Sequence, residues 1–175
     1  MNNKKEPTIG RVLVLLAAAV VCGVVVAAPR TFPLVTDAAY RKECGACHMA
    51  FPPQLLPERS WQRVMGSLDS HFGDSAKLDS STQQKISAYL AGNSADRANN
   101  AESMQIMASL RNGDTPDRIS KVPYIEGMHA AVLEPRWKGT PRPKTLAECS
   151  VCHFRADTGD FFERRFKVSD EEFRK

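Results

Sequence analysis

Two short runs of the chain put thiols and an imidazole at a spacing that does chemistry: Cys44-Gly45-Ala46-Cys47-His48 and Cys149-Ser150-Val151-Cys152-His153. Two thiols at this spacing can add across the two vinyl groups on one edge of a porphyrin, and the adjacent imidazole can then turn up to the iron. Cys-x-x-Cys-His is the attachment pattern of c-type haem. The chain has five cysteines, and the two motifs use all but Cys22. A zinc site could draw on the same residue types, but both motifs would have to pool into one site with excess ligands or find partners elsewhere. A thioredoxin-like redox pair needs no His after its second Cys and normally sits beside a βαβ pattern, which is absent. Two covalently bound haem c groups are therefore expected.

Each iron needs a second axial ligand or an open position. Of the four histidines, His48 and His153 belong to the motifs, which leaves His71 and His129. His71 lies 23 residues after His48, and His129 lies 24 residues before His153. The simplest pairing is His71 with the first haem and His129 with the second. A lone His on a helix face ordinarily packs with a hydrogen bond, and here the match of two irons with two spare histidines argues for ligation. Methionine is the competing ligand, since a thioether raises the potential. Met65 shares the expected His71 face, Met128 adjoins His129, and Met49, Met104 and Met107 are further candidates.

The elements that must position these groups read as helical. Asp37 can cap a short helix running through Cys44 to His48, stopped by Phe51-Pro52-Pro53. A second helix is expected from Glu58 to about Phe72, closed by Gly73, with Trp61, Val64, Met65, Leu68 and Phe72 at helical spacing and His71 at the edge of their face. A third runs over residues 80–91 and ends at Gly92. The polar residues 93–102 lack an apolar stripe and read as a linker. Residues 103–110 are helical, and Pro123 opens a helix on which Ile125, Met128, His129 and Val132 share a face. Residues 146–153 return to helix, and the tail with Phe161, Phe162, Phe166 and Phe173 has no assignment. The fold class is mainly α, with two small haem-binding domains over residues 28–93 and 94–175. A core of that size supplies roughly 3–5 kcal/mol or less, so a buried macrocycle would supplement each. Trp61 and Trp137 are expected to pack on haem. The first half places its motif before its distal His and the second after it, so the halves are not copies of one module.

Residues 12–28 form an unbroken apolar or small run behind the basic residues Lys4, Lys5 and Arg11. That is the layout of a signal peptide over residues 1–27, cleaved after Ala27; the alternative is an uncleaved anchor, since 17 apolar residues sit at the lower edge of a spanning helix. Val21 stands where a lipoprotein signal needs a small residue, so Cys22 belongs to the leader. Either fate puts the rest of the chain in the periplasm, free or anchored to the inner membrane. The net charge of +4 drops to +2 without the leader, because the remainder holds 21 basic and 19 acidic residues, so no nucleic-acid footprint is present. Arg136, Lys138, Arg142 and Lys144 form a basic run that could dock an acidic redox partner, or be a solvated loop, or pair with haem propionates. No Ser/His/Asp constellation or phosphate loop is available.

The chain resembles the bacterial di-haem cytochrome c family often called DHC. The resemblance is carried by CGACHMAFPPQLLPERSWQRVMGSLDSHFG in the first half, and by RISKVPYIEGMHAAV and ECSVCHFRADTGDF in the second. It implies an N-terminal domain similar to class I cytochromes c and a C-terminal domain of different fold. It also implies bis-histidine irons, with His48 and His71 at the first haem and His153 and His129 at the second. Family members are associated with a membrane b-type cytochrome as donor and a small oxygen-binding cytochrome c as acceptor. The expected function is an exported carrier passing single electrons between such partners. Closed coordination leaves no substrate position, so the chain is not expected to be an enzyme. The rivals are a di-haem peroxidase or nitrogen-oxide reductase and a gas sensor, each of which requires an open or labile iron.

Overall fold

Asp37 accepts a hydrogen bond from the Tyr40 backbone N–H at 2.7 Å and so starts helix α1, Ala38–Cys44. The structure is a computed structural model that describes residues 31–133 and 147–162. The expected leader, Trp137, the basic run 136–144, Phe166 and Phe173 lie outside the described residues. After α1 come α2 (Glu58–Met65), α3 (Ser80–Gly92), α4 (Ala101–Ser109), α5 (Pro123–Met128), α6 (Ala130–Leu133) and α7 (Cys149–Cys152). Tight 3-10 turns stand at Pro53–Leu55, Leu68–Ser70, Ile119–Lys121 and Ala156–Thr158. Among the described residues there is no strand, only two isolated bridges, His71 with Asp74 and Arg155 with Asp160. The mainly α class holds. Among the same residues no helix is long and apolar enough to cross a membrane.

Helix α2 shows why the expected longer helix does not form. Trp61, Val64 and Met65 keep the i, i+3, i+4 spacing and are all buried, which drives this face against α3. Gly66 then caps the helix with its N–H on the Gln62 carbonyl, and the Ser67 hydroxyl donates back to the Arg63 carbonyl at 3.0 Å. A serine that bonds the preceding turn competes with helix continuation. Leu68 still reaches the core, but from a 3-10 turn, and His71 follows in extended backbone at φ −68°, ψ 90° rather than on a helix face.

Asp79 begins α3, its carboxylate accepting from the N–H groups of Ser81 and Thr82, each at 3.0 Å. Those bonds, with the Ser81 and Thr82 side chains, hold its carboxyl well below the usual carboxylate range. Ile86 and Leu90, one turn apart on α3, have no more than 1% of their surface exposed. They join Tyr40, Leu55, Leu56, Trp61, Val64, Met65 and Leu68 in a cluster that also takes in Ile106 of α4 and Val122 ahead of α5. Full burial of each such side chain contributes about 1.5–3 kcal/mol.

The polar stretch read as a linker is packed. Ser94 and Ala95 are fully buried, Ala95 N–H donates to the Leu56 carbonyl at 2.9 Å, and the Asp96 carboxylate accepts from Glu58 N–H at 3.0 Å. Asn100 caps α4 through Ser103 N–H at 2.8 Å. At the start of the described chain, Phe32 N–H donates to the Gly159 carbonyl at 3.0 Å, and Phe161 N–H donates to the Thr31 hydroxyl at 3.1 Å. This strap ties residues 31–32 to the segment just beyond the second motif.

Candidate functional site

The first motif begins inside α1 and finishes outside it. Cys44 is the last helical residue, while Cys47 and His48 lie in the turn that follows, so the helix expected through His48 is shorter than the spacing suggested. The His48 ring stacks on Phe51 with centroids 4.9 Å apart, and its Nδ1 lies 2.8 Å from the Met49 carbonyl oxygen. Such a contact has Nδ1–H donating to the carbonyl and leaves the Nε2 lone pair for a metal. Across from it stands His71, with ring centroids 6.2 Å apart and planes inclined by 25°. Burial, then the nearby His48 and Arg118 charges, lowers the basicity of His71 against the opposing pull of Asp74. A neutral imidazole is the ligating form.

The second motif spans α7, with Cys149 and Cys152 at its two ends and His153 at its C-cap, where the His153 N–H donates to the Cys149 carbonyl at 2.7 Å. The helix expected from residue 146 is thus one turn of the chain. Phe161 lies 5.4 Å from the His153 ring and packs edge-on to Phe32 at 5.5 Å. His129 caps α5 instead of continuing it, and its Nδ1 lies 2.8 Å from the carbonyl of Ile125 one turn back. Because the helix ends there, Met128 is not on a shared buried face but 67% exposed. The His129 and His153 rings face each other with centroids 6.0 Å apart and planes at 78°.

Both separations fit rings that share a metal. Two imidazoles binding one metal from opposite sides, with bonds of about 2 Å and each ring centre roughly 1 Å further out, have centroids about 6 Å apart. The thiols fit covalent attachment as well. None of the four is in a disulfide. Burial, with Glu43 adding, pushes the Cys44 thiol up to about 11, and burial pushes Cys149 up to about 11 and Cys152 upward. A dithiol redox site needs the opposite, a depressed thiol. Among the described residues no three His, Cys, Asp or Glu side chains converge as a zinc site would require.

A family model described as dihaem cytochrome c matches residues 40–161, a stretch that includes both motifs and all four histidines. The chain belongs to the dihaem cytochrome c family. As a dihaem cytochrome c it carries two covalently bound c-type haems, for which Cys44 and Cys47 and Cys149 and Cys152 have the fitting spacing, and it is a haem-based electron-transfer protein. Among solved structures it is similar to a diheme cytochrome c from Rhodobacter sphaeroides, at 38% identity and TM-score 0.64 over 73% of this chain and 98% of that one. It is similar to DHC purified from the same organism at 38% identity and TM-score 0.57, over 72% and 97% of the two chains. A diheme cytochrome from Shewanella baltica OS155 is 28% identical with TM-score 0.51, over 70% and 84%. The search of curated proteins finds no match.

Several groups around the sites escape a reading of the sequence. Phe51, stacked on His48, could have been found, since Pro52 and Pro53 fix the chain directly behind it. Phe72, at φ 54°, and Arg118, whose guanidinium carbon lies 3.9 Å from the Phe72 ring centroid, carry no local signal. Nor do Phe32 and Phe161, which meet only through the fold. Trp61 is buried, with its indole N–H on the Pro53 carbonyl at 2.7 Å. Of the competing methionines, Met65 is buried in that core and Met104 is 62% exposed.

Proposed function

We propose that this dihaem cytochrome c is a single-electron carrier in which His48 and His71 hold the first haem iron and His153 and His129 the second. One observation supports this reading above the others: each motif histidine faces one further imidazole across a gap of about 6 Å, the span of a shared metal. The haems supply a metal that changes by one electron without bond breaking. The chain's own residues hold that metal closed on both sides, orient the rings through the Met49 and Ile125 carbonyls, and exclude a substrate position. Closure of this kind favours a carrier over an enzyme. It also favours potentials below those of a His/Met cytochrome c, because the thioether favours reduced iron more than imidazole does. Family resemblance suggests a membrane b-type cytochrome as donor and a small oxygen-binding cytochrome c as acceptor. The leader suggests periplasmic work, free or anchored, and the basic run 136–144 is a candidate docking patch for an acidic acceptor.

The test is ligand by ligand. The oxidised holoprotein is expected to lack a sulfur-to-iron charge-transfer band, and the reduced protein to bind carbon monoxide poorly. His71→Ala should open the first haem to carbon monoxide and leave the second closed; His129→Ala should do the reverse. A sulfur band, ready carbon monoxide binding by the unaltered protein, or a crossed result would overturn the assignment. Turnover of peroxide, nitrite or hydroxylamine would replace the carrier by an enzyme.

A further inference from the structure

The turn that delivers His71 uses an unexpected residue. From His71 to Asp74 the chain reverses through Phe72 at φ 54° and Gly73 at φ 109°, closed by Asp74 N–H donating to the His71 carbonyl at 3.1 Å. Positive φ at both central positions marks a type I′ turn, where Asn, Asp and Gly are favoured. A bulky side chain there is an outlier, and among the described residues Phe72 is the one non-glycine at positive φ. Burial does not account for it, because Phe72 is 44% exposed.

Two contacts do. The Phe72 ring lies beside His71, with centroids 4.6 Å apart, and its face is covered by the Arg118 guanidinium at 3.9 Å. That is within the range of a cation–π contact. Arg118 opens the 3-10 turn Ile119–Lys121, which runs through Val122 into α5 and so to His129. One continuous segment therefore starts with a cation at the first site and ends with a histidine of the second.

We propose that Arg118 is a positioning residue of the first haem site, which holds the His71 turn through Phe72 and raises the reduction potential of the iron that His71 faces. This rests on the His48/His71 reading above. Reduction adds one electron to the ferric iron and makes or breaks no bond, so the site loses one positive charge. A fixed cation nearby favours that reduced form. Its guanidinium lies on the Phe72 ring, whose centroid is 4.6 Å from that of His71, so the cation sits close to the first site. Asp74, whose N–H closes the same turn on the His71 carbonyl, carries a charge of the opposite sign.

The experiment is a mediated spectroelectrochemical titration of the holoprotein, with the two haems told apart by their low-spin resonance signals. Arg118→Gln should lower the first midpoint, so that the ratio of reduced to oxidised first haem at a fixed poise falls severalfold while the second haem is unchanged. It should also speed carbon monoxide binding at the first haem by loosening the turn. Arg118→Lys should keep most of the potential, and Asp74→Asn should move it the other way. Should Arg118→Gln fail to take up haem, Phe72→Leu, which keeps the cation and removes its seat, should give an intermediate fall. Unchanged midpoints in a low-spin variant, or equal movement of both haems, would overturn the inference alone. A sulfur-ligated or high-spin first haem in the unaltered protein would overturn the ligation reading and the inference with it.

Discussion

Gly159→Ala is the substitution whose consequence is clearest from the geometry of the second site. Gly159 sits at φ 80°, and a Cβ built there would overlap the Phe32 carbonyl oxygen, with the carbonyl carbon at 3.1 Å and the Pro33 oxygen at 3.3 Å. Both obstacles are backbone, so the strap at residues 31–33 must leave. The left-handed conformation alone costs an alanine roughly 1–2 kcal/mol. Losing the burial of Phe32, which is 3% exposed, forfeits roughly 1.5–3 kcal/mol more. Together this is a large part of the roughly 5–15 kcal/mol that holds a domain folded. Because Phe32 packs on Phe161 and Phe161 on the His153 ring, the damage should fall on the second haem. Chemical denaturation of the holoprotein, followed at each haem, should show a loss of several kcal/mol, with the second haem binding carbon monoxide and the first still closed. Phe32→Ala should give the same pattern, at about 3–5 kcal/mol for a core Phe→Ala change. A Gly159→Ala protein within about 0.5 kcal/mol of the parent, the range of a neutral surface change, or one disturbed at the first haem, would refute the proposed strap.

Three further outcomes are expected. Trp61→Phe leaves the buried Pro53 carbonyl without its 2.7 Å donor and should destabilise by about 1–3 kcal/mol, read by circular dichroism in denaturant. Tyr40 is buried and donates to the Phe51 carbonyl at 2.9 Å, and burial, with Tyr89 adding, raises its phenol far above the ordinary value. The folded chain thus holds this proton more tightly than the unfolded one. That stability is whole below about pH 10 and is lost as pH rises toward the folded value, so Tyr40→Phe should flatten the alkaline fall of stability. Cys44→Ala or Cys149→Ala should weaken attachment at its own site only, seen by intact mass and haem-stained electrophoresis.

What the sequence carries about this molecule follows the range of the interactions. The two Cys-x-x-Cys-His runs are local covalent chemistry and could be read directly, and counting spare histidines against irons pointed to the rings that the fold brings near each other, His71 to His48 and His129 to His153. The local structure that delivers those side chains was not legible. The apolar period from Trp61 to Phe72 predicts one helix, yet Gly66 and the back-bonding hydroxyl of Ser67 end it after Met65, and a turn presents His71 instead. Polarity marked residues 93–102 as linker, but Ser94 and Ala95 are small enough to be buried against Leu56. Arg118 over Phe72 and Phe32 against Phe161 join residues far apart in the chain, where no periodicity or spacing reports a contact.

The central claim is that each iron lies between two imidazoles, and the two ring pairs differ in one measurable respect. His48 and His71 are inclined by 25°, whereas His129 and His153 stand at 78°. Near-parallel imidazoles split the two iron π orbitals and give a rhombic low-spin signal; near-perpendicular ones leave those orbitals almost degenerate and give a strongly anisotropic signal. Low-temperature electron paramagnetic resonance of the fully oxidised protein should therefore show one low-spin signal of each kind, in equal amounts. His71→Ala should remove the rhombic signal and His129→Ala the anisotropic one. A high-spin signal at either site in the unaltered protein, or loss of the wrong signal in either variant, would contradict the assignment of the four histidines.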